Sequence, residues 1–367
     1  VRYDVAIIGG GIIGTSAAAF LAQAGRSVVL VERETIAAGA SGRNSGVLQH
    51  PYDPLLARLH RRAVELYLEL AESEPEFEVG AQPAGLLMVG PDGEELREAC
   101  RLMALDHPDL SPQHLSADEL RRLEPSIAEG MGACRLATGH PVVPAAATMA
   151  YARTAERSGA VLRLGSAAQP WLSGDEVRGV ALDGGERLSA GQVLIAAGPW
   201  SPALVPGWQA APPIRSTYGV VVSTRLNDPP GHVLEELGID PASSGVPTSF
   251  SLVTAGGPSS VGSTFLDERP VAEELQAMLL RNAARFVPAI EKAEPIGVRV
   301  CARPVSFDGR PLIGAVESIE GLFVCAGHGP WGMSTGPATA RLIADVMLGC
   351  PASDGSVPAA LRAERAR

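Results

Sequence analysis

Three glycines near the amino terminus, Gly9, Gly11 and Gly14, have the spacing that lets a backbone turn meet a phosphate. Gly9 permits the tight turn, Gly11 clears the approach of a pyrophosphate, and Gly14 permits close helix–strand packing. The element before them reads as a strand, because "YDVAIIGG" is a short apolar run with β-branched residues. Ile12 and Ile13 lead into a small-residue helix, "TSAAAFLAQAG", with Gly25 as its carboxy-terminal cap. The first turn of that helix presents unpaired N–H groups and a positive dipole end to an anion. "SVVLVE" reads as the second strand. Glu32 ends it about 20 residues past the glycines, where a carboxylate meets the ribose of a dinucleotide, and Arg33 follows. A dinucleotide is expected, although the glycines by themselves leave NAD and FAD open.

Composition bounds what such a site can serve. The chain has 367 residues, 46% of them hydrophobic, enough for one two-lobed unit or two domains. Its net charge is −11 with both signs mixed along the chain, which argues against nucleic acid or an anionic membrane surface as partner. Lys292 is the one lysine, so lysine is absent from most conceivable mechanisms. Cys100, Cys134, Cys301, Cys325 and Cys350 form no C-x-x-C pair, so neither a redox dithiol nor a metal site is expected. The scattered cysteines and the lack of a signal-peptide pattern lead to an expected cytoplasmic setting. No apolar run reaches the roughly 18 residues of a transmembrane helix.

The remaining elements alternate. "PLLARLHRRAVELYLELAES" repeats apolar residues at helical spacing, "AGLLMVG" reads as a strand, and Ser116 and Glu119 hold capping-box positions in "SADELRRLEP". "PAAATMAYARTAERSGAVLRLG" is a helix, a stop at Gly159 and a strand, and "VLIAAGPW" is a buried strand running into a glycine turn. Short β-rich runs from Pro212 to about Val300 precede one helix, "VAEELQAMLLRNAARF", which predicts an antiparallel sheet with a covering helix. "GLFVCAGHGPWGMSTGPATARLIADVMLG" returns to strand, glycine loop and helix, with Pro337 near the first turn. The expected fold is α/β: a discontinuous Rossmann-like nucleotide domain over 1–75, 141–212 and 301–367. A β-rich substrate domain is interleaved with it over 76–140 and 213–300.

Three further stretches, "GASGRNSG" (39–46), "VLIAAGPWS" and "RPVSFDGRPLIG…GLFVCAGHGPWGMSTGP", resemble the D-amino acid oxidase superfamily, which includes glycine oxidase, sarcosine oxidase and amino acid dehydrogenase subunits. The resemblance covers both ends and the middle of the chain. It implies FAD, with Ala40, Ser41, Asn44, Ser45 and Gly46 in the stretch beside the isoalloxazine ring. Arg43 is placed either at the pyrophosphate or on the surface. Ala197, Gly198 and Trp200 belong to the internal segment, and Gly329, Trp331, Gly332, Met333 and Ser334 to the last flavin segment. A helix start aimed at the N1–C2=O edge of the ring would favour the negative charge of reduced flavin.

The same resemblance implies an FAD-dependent amino acid or amine oxidoreductase. A carboxylate-bearing amine loses a hydride from its α-carbon to flavin N5, and the imine hydrolyses. Arg303 matches the arginine that pairs with the substrate carboxylate; its alternative is a structural ion pair with Asp308. Tyr218 and His50 are further substrate-side candidates, and His328 either touches substrate or braces its own loop. The acceptor is oxygen or a quinone or dye. Slow turnover with oxygen is expected, because relatives place a lysine near the position of Ser260 and Lys292 lies too far along the chain. Cys301 precedes Asp308 by seven residues, the spacing of a covalent flavin link in sarcosine oxidases, yet noncovalent FAD is expected, with no aromatic at Arg303. A homo-oligomer or a heteromeric partner subunit fits the family. Two other readings stay open: a 2-hydroxy acid dehydrogenase of the same superfamily, and a non-catalytic protein of the GDP dissociation inhibitor type.

Overall fold

The computed structural model describes residues 2–238, 248–350 and 357–366. The chain starts with strand β1 (Arg2–Ile8), helix α1 (Ile12–Gln23) and strand β2 (Val28–Glu32), a parallel βαβ unit. Val5 to Ile8 and Val28 to Val31 are all buried, as strands covered on both faces must be. The sheet order is Leu312–Ala315, Leu322–Ala326, Arg187–Ile195, β1, β2, Val161–Leu164. An antiparallel pair, Ala168–Ser173 and Glu176–Leu182, hangs from the strand Arg187–Ile195.

α1 is buried from Ile12 to Ala22 and is apolar all round, so it must be enclosed rather than lie on a surface. It packs between the helices Ala146–Arg157 and Gly332–Leu348, and Pro54–Ser73 packs on the latter. The predicted helix ends are present: Gly159 follows its helix at φ +96°, and Ser116 and Glu119 form the capping box that starts the helix Ala117–Leu123.

A second eight-stranded sheet runs in the order Pro295–Ser306, Ile214–Thr224, Ser259–Thr264, Thr248–Thr254, Val233–Glu236, Leu86–Pro91, Met131–Leu136, Gln113–Leu115. It is antiparallel except where Val233–Glu236 runs parallel to Leu86–Pro91, the seam that joins the 76–140 and 213–300 segments. The helix Ala272–Ala284 covers it, with Phe250 and Phe286 stacked at 4.4 Å.

Two expectations are corrected. The strand Pro295–Ser306 crosses the boundary placed at 301, so Cys301 and Arg303 belong to the second sheet. Continuous pairing of Cys301 with Gly219 and of Arg303 with Thr217 holds the strand together beyond that point. Pro337 lies inside the helix Gly332–Leu348 rather than in its first turn. Having no N–H, Pro337 leaves the Met333 carbonyl without its helical donor, and the buried Tyr67 hydroxyl donates to that carbonyl at 2.7 Å instead.

Candidate active site

A cavity of about 520 Å³ opens between the two sheets. Its first end is built by the turn between β1 and α1. Gly9 has φ +119°, and a Cβ there would lie 2.4 Å from the Ala196 carbonyl oxygen, so only glycine fits. A Cβ on Gly14 would sit 1.9 Å from the Gly9 oxygen; Gly14 therefore holds the turn together but does not line the cavity. Gly9, Gly11, Ile12 and Ile13 do line it. Ile12 N–H donates to Ser41 Oγ at 2.9 Å, while the other first-turn N–H groups lack intrahelical acceptors. At the end of β2, the Glu32 carboxylate accepts from Gly10 N–H at 2.7 Å and from Glu34 N–H at 2.9 Å. Beside it the Arg33 guanidinium lies 3.8 Å from the Trp200 ring centre, and both line the cavity with Ala197 and Gly198.

The middle wall is the short helix Ala40–Arg43. Ala40, Ser41, Arg43 and Asn44 face the cavity, but Ser45 and Gly46 do not. The chain turns away at Asn44, whose amide donates to the Ser41 carbonyl at 2.8 Å and whose Oδ1 accepts from Gly46 N–H at 2.8 Å. A Cβ on Gly46 would meet Val142 O at 2.6 Å, so this glycine serves packing.

The far wall brings Gly329, Gly332 and Met333. Trp331 and Ser334, expected here, are turned elsewhere. Trp331 packs against the core of the first sheet, and buried Ser334 Oγ accepts from Gln49 N–H at 2.9 Å. His328 reaches the cavity wall, yet its imidazole is buried and its Nε2 lies 2.9 Å from Thr339 Oγ1. Burial pushes its pKa down to about 3, so the ring is neutral and braces the loop. His50 does not line the cavity at all. It is buried 3.8 Å from the Asp109 carboxylate, with the His60 ring 5.5 Å away.

The roof is one face of the second sheet, on which Arg299, Cys301 and Arg303 alternate along a strand. Arg303 Nη1 donates to the Thr264 carbonyl at 2.8 Å and Nη2 to Ser263 Oγ at 2.6 Å, with the guanidinium 4.5 Å from the Phe265 ring centre. No carboxylate pairs with it among the described residues; Asp308 is bound by Arg365 at 3.0 Å. Burial lowers the guanidinium pKa, and arginine stays a cation regardless. Tyr218 also lines the cavity, paired across the strands with Ala302.

Sequence reasoning missed Gly219 and Arg299. A Cβ on Gly219 would fall 2.2 Å from Arg303 Nη2, so that glycine makes the seat for the guanidinium. A lone glycine inside a β-branched strand was the available signal for a close approach. Arg299 Nη2 donates to Ser260 Oγ at 3.0 Å and to the Asn44 carbonyl at 3.2 Å, and Nη1 donates to Ser223 Oγ. A cation therefore does reach Ser260, from the neighbouring part of the sheet, while Lys292 is exposed and outside the cavity. Cys301 is buried, with its thiol 4.0 Å from the Ala40 carbonyl; burial pushes its pKa up against the opposing fields of Arg303, Arg43 and Arg299.

The pattern of the FAD dependent oxidoreductase (DAO) family matches residues 4–346. The chain belongs to the D-amino acid oxidase superfamily of FAD-dependent oxidoreductases. Within this superfamily it is similar to glycine oxidase from Geobacillus kaustophilus, 31% identical over 363 residues that cover 94% of this chain and 93% of that one. The solved structure of glycine oxidase from Bacillus cereus superposes with a TM-score of 0.82 at 28% identity, covering 95% of each chain. Iminodiacetate oxidase from Chelativorans sp. BNC1 superposes at 0.80 with 25% identity, over 95% of this chain and 96% of that one.

The cavity fits the superfamily's FAD. Side-chain-free backbone at Gly9 and Gly11, free first-turn donors on α1 and an acid at the end of β2 suit the ADP half. The wall from Ala40 to Asn44 and from Gly329 to Met333 leaves room for a flat ring. The protein is thus an FAD-dependent amino acid oxidoreductase. Among the described residues no helix is long and apolar enough to cross a membrane.

Proposed function

We propose that this enzyme oxidises a small amino acid or secondary amino acid at its α-carbon, with Arg303 as the anchor of the substrate carboxylate. The observation that carries the reading is a half-buried guanidinium on the FAD cavity without a carboxylate of its own among the described residues. A cation taken out of water without a counter-charge is costly, several kcal/mol by effective estimates, and a substrate carboxylate closing over Arg303 offsets that cost. Thr264 O and Ser263 Oγ take one N–H from each terminal nitrogen, fixing the plane of the fork and leaving further donors for a carboxylate. Bound FAD supplies the two-electron acceptor for hydride leaving the α-carbon, and water then hydrolyses the imine. The protein's own part is orientation, which contributes several kcal/mol when the reacting atoms are held in line. Tyr218 would contribute its hydroxyl at the substrate end, and oxygen or a quinone or dye would take the electrons.

The glycine oxidase and iminodiacetate oxidase relatives support an amine rather than a hydroxy acid. The test is anaerobic mixing of the yellow protein with glycine, sarcosine, alanine enantiomers and proline, in parallel with 2-hydroxy acids. Bleaching of the flavin by an amine and not by its hydroxy analogue is expected. Bleaching by hydroxy acids alone would overturn the proposal.

A further inference from the structure

Arg299 brings a cation without a counter-charge into the joint between the two sheets. Its Nη2 donates to Ser260 Oγ at 3.0 Å and to the Asn44 carbonyl at 3.2 Å, and its Nη1 donates to Ser223 Oγ. All three acceptors are neutral, and no carboxylate pairs with the guanidinium among the described residues. Glu273 shares a neighbouring hollow with it, but is exposed and makes no ion pair with it. The Nε–H is buried without an acceptor. Burial lowers the pKa of Arg299, yet a guanidinium remains a cation. Asn44 lines the FAD cavity at the end of the short helix Ala40–Arg43, so Arg299 is bonded directly to the cavity wall. Cys301, two residues along on the same face of the strand, lines the cavity as well. The charges of Arg303, Arg43 and Arg299 all act on its buried thiol. The carboxylates that line the cavity among the described residues are Glu32, which ends β2, and Glu34 just beyond it. Both stand at the end that suits the ADP half of FAD. The cations at the wall near Asn44 and Cys301 therefore have no lining acid beside them.

Hydride transfer to FAD adds two electrons and one proton, while the amine donor becomes an imine. The reduced ring then carries one more negative charge until a second proton arrives. We propose that Arg299 is a fixed positive charge that favours this negative charge and so raises the reduction potential of the bound FAD. Ser260 and Cys301 are buried, so little water screens the guanidinium from the cavity. A preorganised charge in such a place costs no rearrangement at the moment of reduction. Arg303 does not serve equally well during turnover, because on the reading above a substrate carboxylate neutralises it. Arg299 keeps its charge with the substrate in place. This role stands whether or not Arg303 binds a substrate carboxylate.

Two measurements on the holoenzyme read this without any substrate. One is the two-electron midpoint potential against a redox dye. The other is the affinity for sulfite, an anion whose addition bleaches oxidised flavin. Arg299→Gln removes the charge and keeps an amide donor for Asn44 or Ser260. It should weaken sulfite binding by about tenfold and lower the potential by about 30 mV, the two-electron equivalent of a tenfold change. Arg299→Lys, which keeps the charge, should hold sulfite affinity within about threefold of the parent, a shift of about 15 mV at most. Ser260→Asp sets a carboxylate against the guanidinium and should reproduce the loss with Arg299 still in place. Flavin content is measured on every sample. Unchanged sulfite affinity and potential in Arg299→Gln, with FAD retained, would overturn the proposal; if that variant loses its FAD, unchanged values in Ser260→Asp would do so instead. Equal losses in Arg299→Lys and Arg299→Gln would also overturn it, assigning the residue to holding Asn44 in place. Failure of the Arg303 reading looks different: Arg303→Ala would then leave carboxylate ligands unaffected, whatever sulfite does.

Discussion

Arg303 owes its reach to Gly219. The glycine sits across the sheet from Cys301, and the space of its missing Cβ is filled by the guanidinium. Gly219→Ala should therefore displace Arg303 and leave the FAD end alone. Carboxylate ligands should weaken by about tenfold, roughly 1.4 kcal/mol, with flavin content unchanged; affinity within twofold of the parent would show that the fork moves without loss. Cys301 belongs to the same stripe. Its pKa is raised by burial, which disfavours the thiolate that a covalent bond to the ring would need. Acid precipitation should release the yellow colour into the supernatant, and colour kept in the pellet but lost from it in Cys301→Ser would contradict this. That Glu32, Gly9 and Gly11 meet at one cavity was legible in the sequence because short spacing places them, whereas Arg303 was reached through the family resemblance. Arg299 was not, since its partners Asn44, Ser223 and Ser260 come from three distant segments. His50 was misplaced because sequence proximity to a flavin segment does not say which way a side chain turns.

At the level of elements, the helix Gly332–Leu348 carries the far wall of the cavity and also an interior proline. Tyr67, on the helix Pro54–Ser73, repairs the defect by donating to Met333 O. Tyr67→Phe leaves that buried carbonyl unpaired, which should lower stability by about 1–3 kcal/mol. An unchanged melting temperature would show that another donor replaces it. The same helix is braced by His60, whose Nδ1 lies 3.2 Å from Ser334 O, and by His328. Burial lowers the His60 pKa to about 4 and the His328 pKa to about 3, below the ordinary 6.5. Both contribute stability that is fully present above pH 6.5 and is lost as pH falls towards 4 and 3, because the unfolded chain takes up the protons first. Denaturant midpoints should drop across that window, less so in His328→Gln; a flat profile from pH 6.5 to 4 would contradict the assignment. Element types were largely legible, since periodicity and caps are local. The seam of parallel strands and the helical position of Pro337 were not, because tertiary partners decide them.

Across the whole molecule, the two sheets face each other over one cavity, and the strand Pro295–Ser306 delivers the second sheet's charge onto it. The interleaved order of segments was readable from composition and motif order. How the two sheets meet depends on long-range pairing that no local pattern encodes. On the proposed reading the joint between them is where function is decided, with FAD on the first sheet and a carboxylate anchor on the second. The measurement that tests this most directly is a paired titration of parent and Arg303→Ala holoenzymes with a monocarboxylate inhibitor, followed by flavin absorbance, with flavin content measured on the same samples. Loss of a charge-assisted pair should weaken the inhibitor by roughly 2–5 kcal/mol while both proteins keep equal FAD. Equal inhibitor affinity in the two, with FAD retained, would contradict the account.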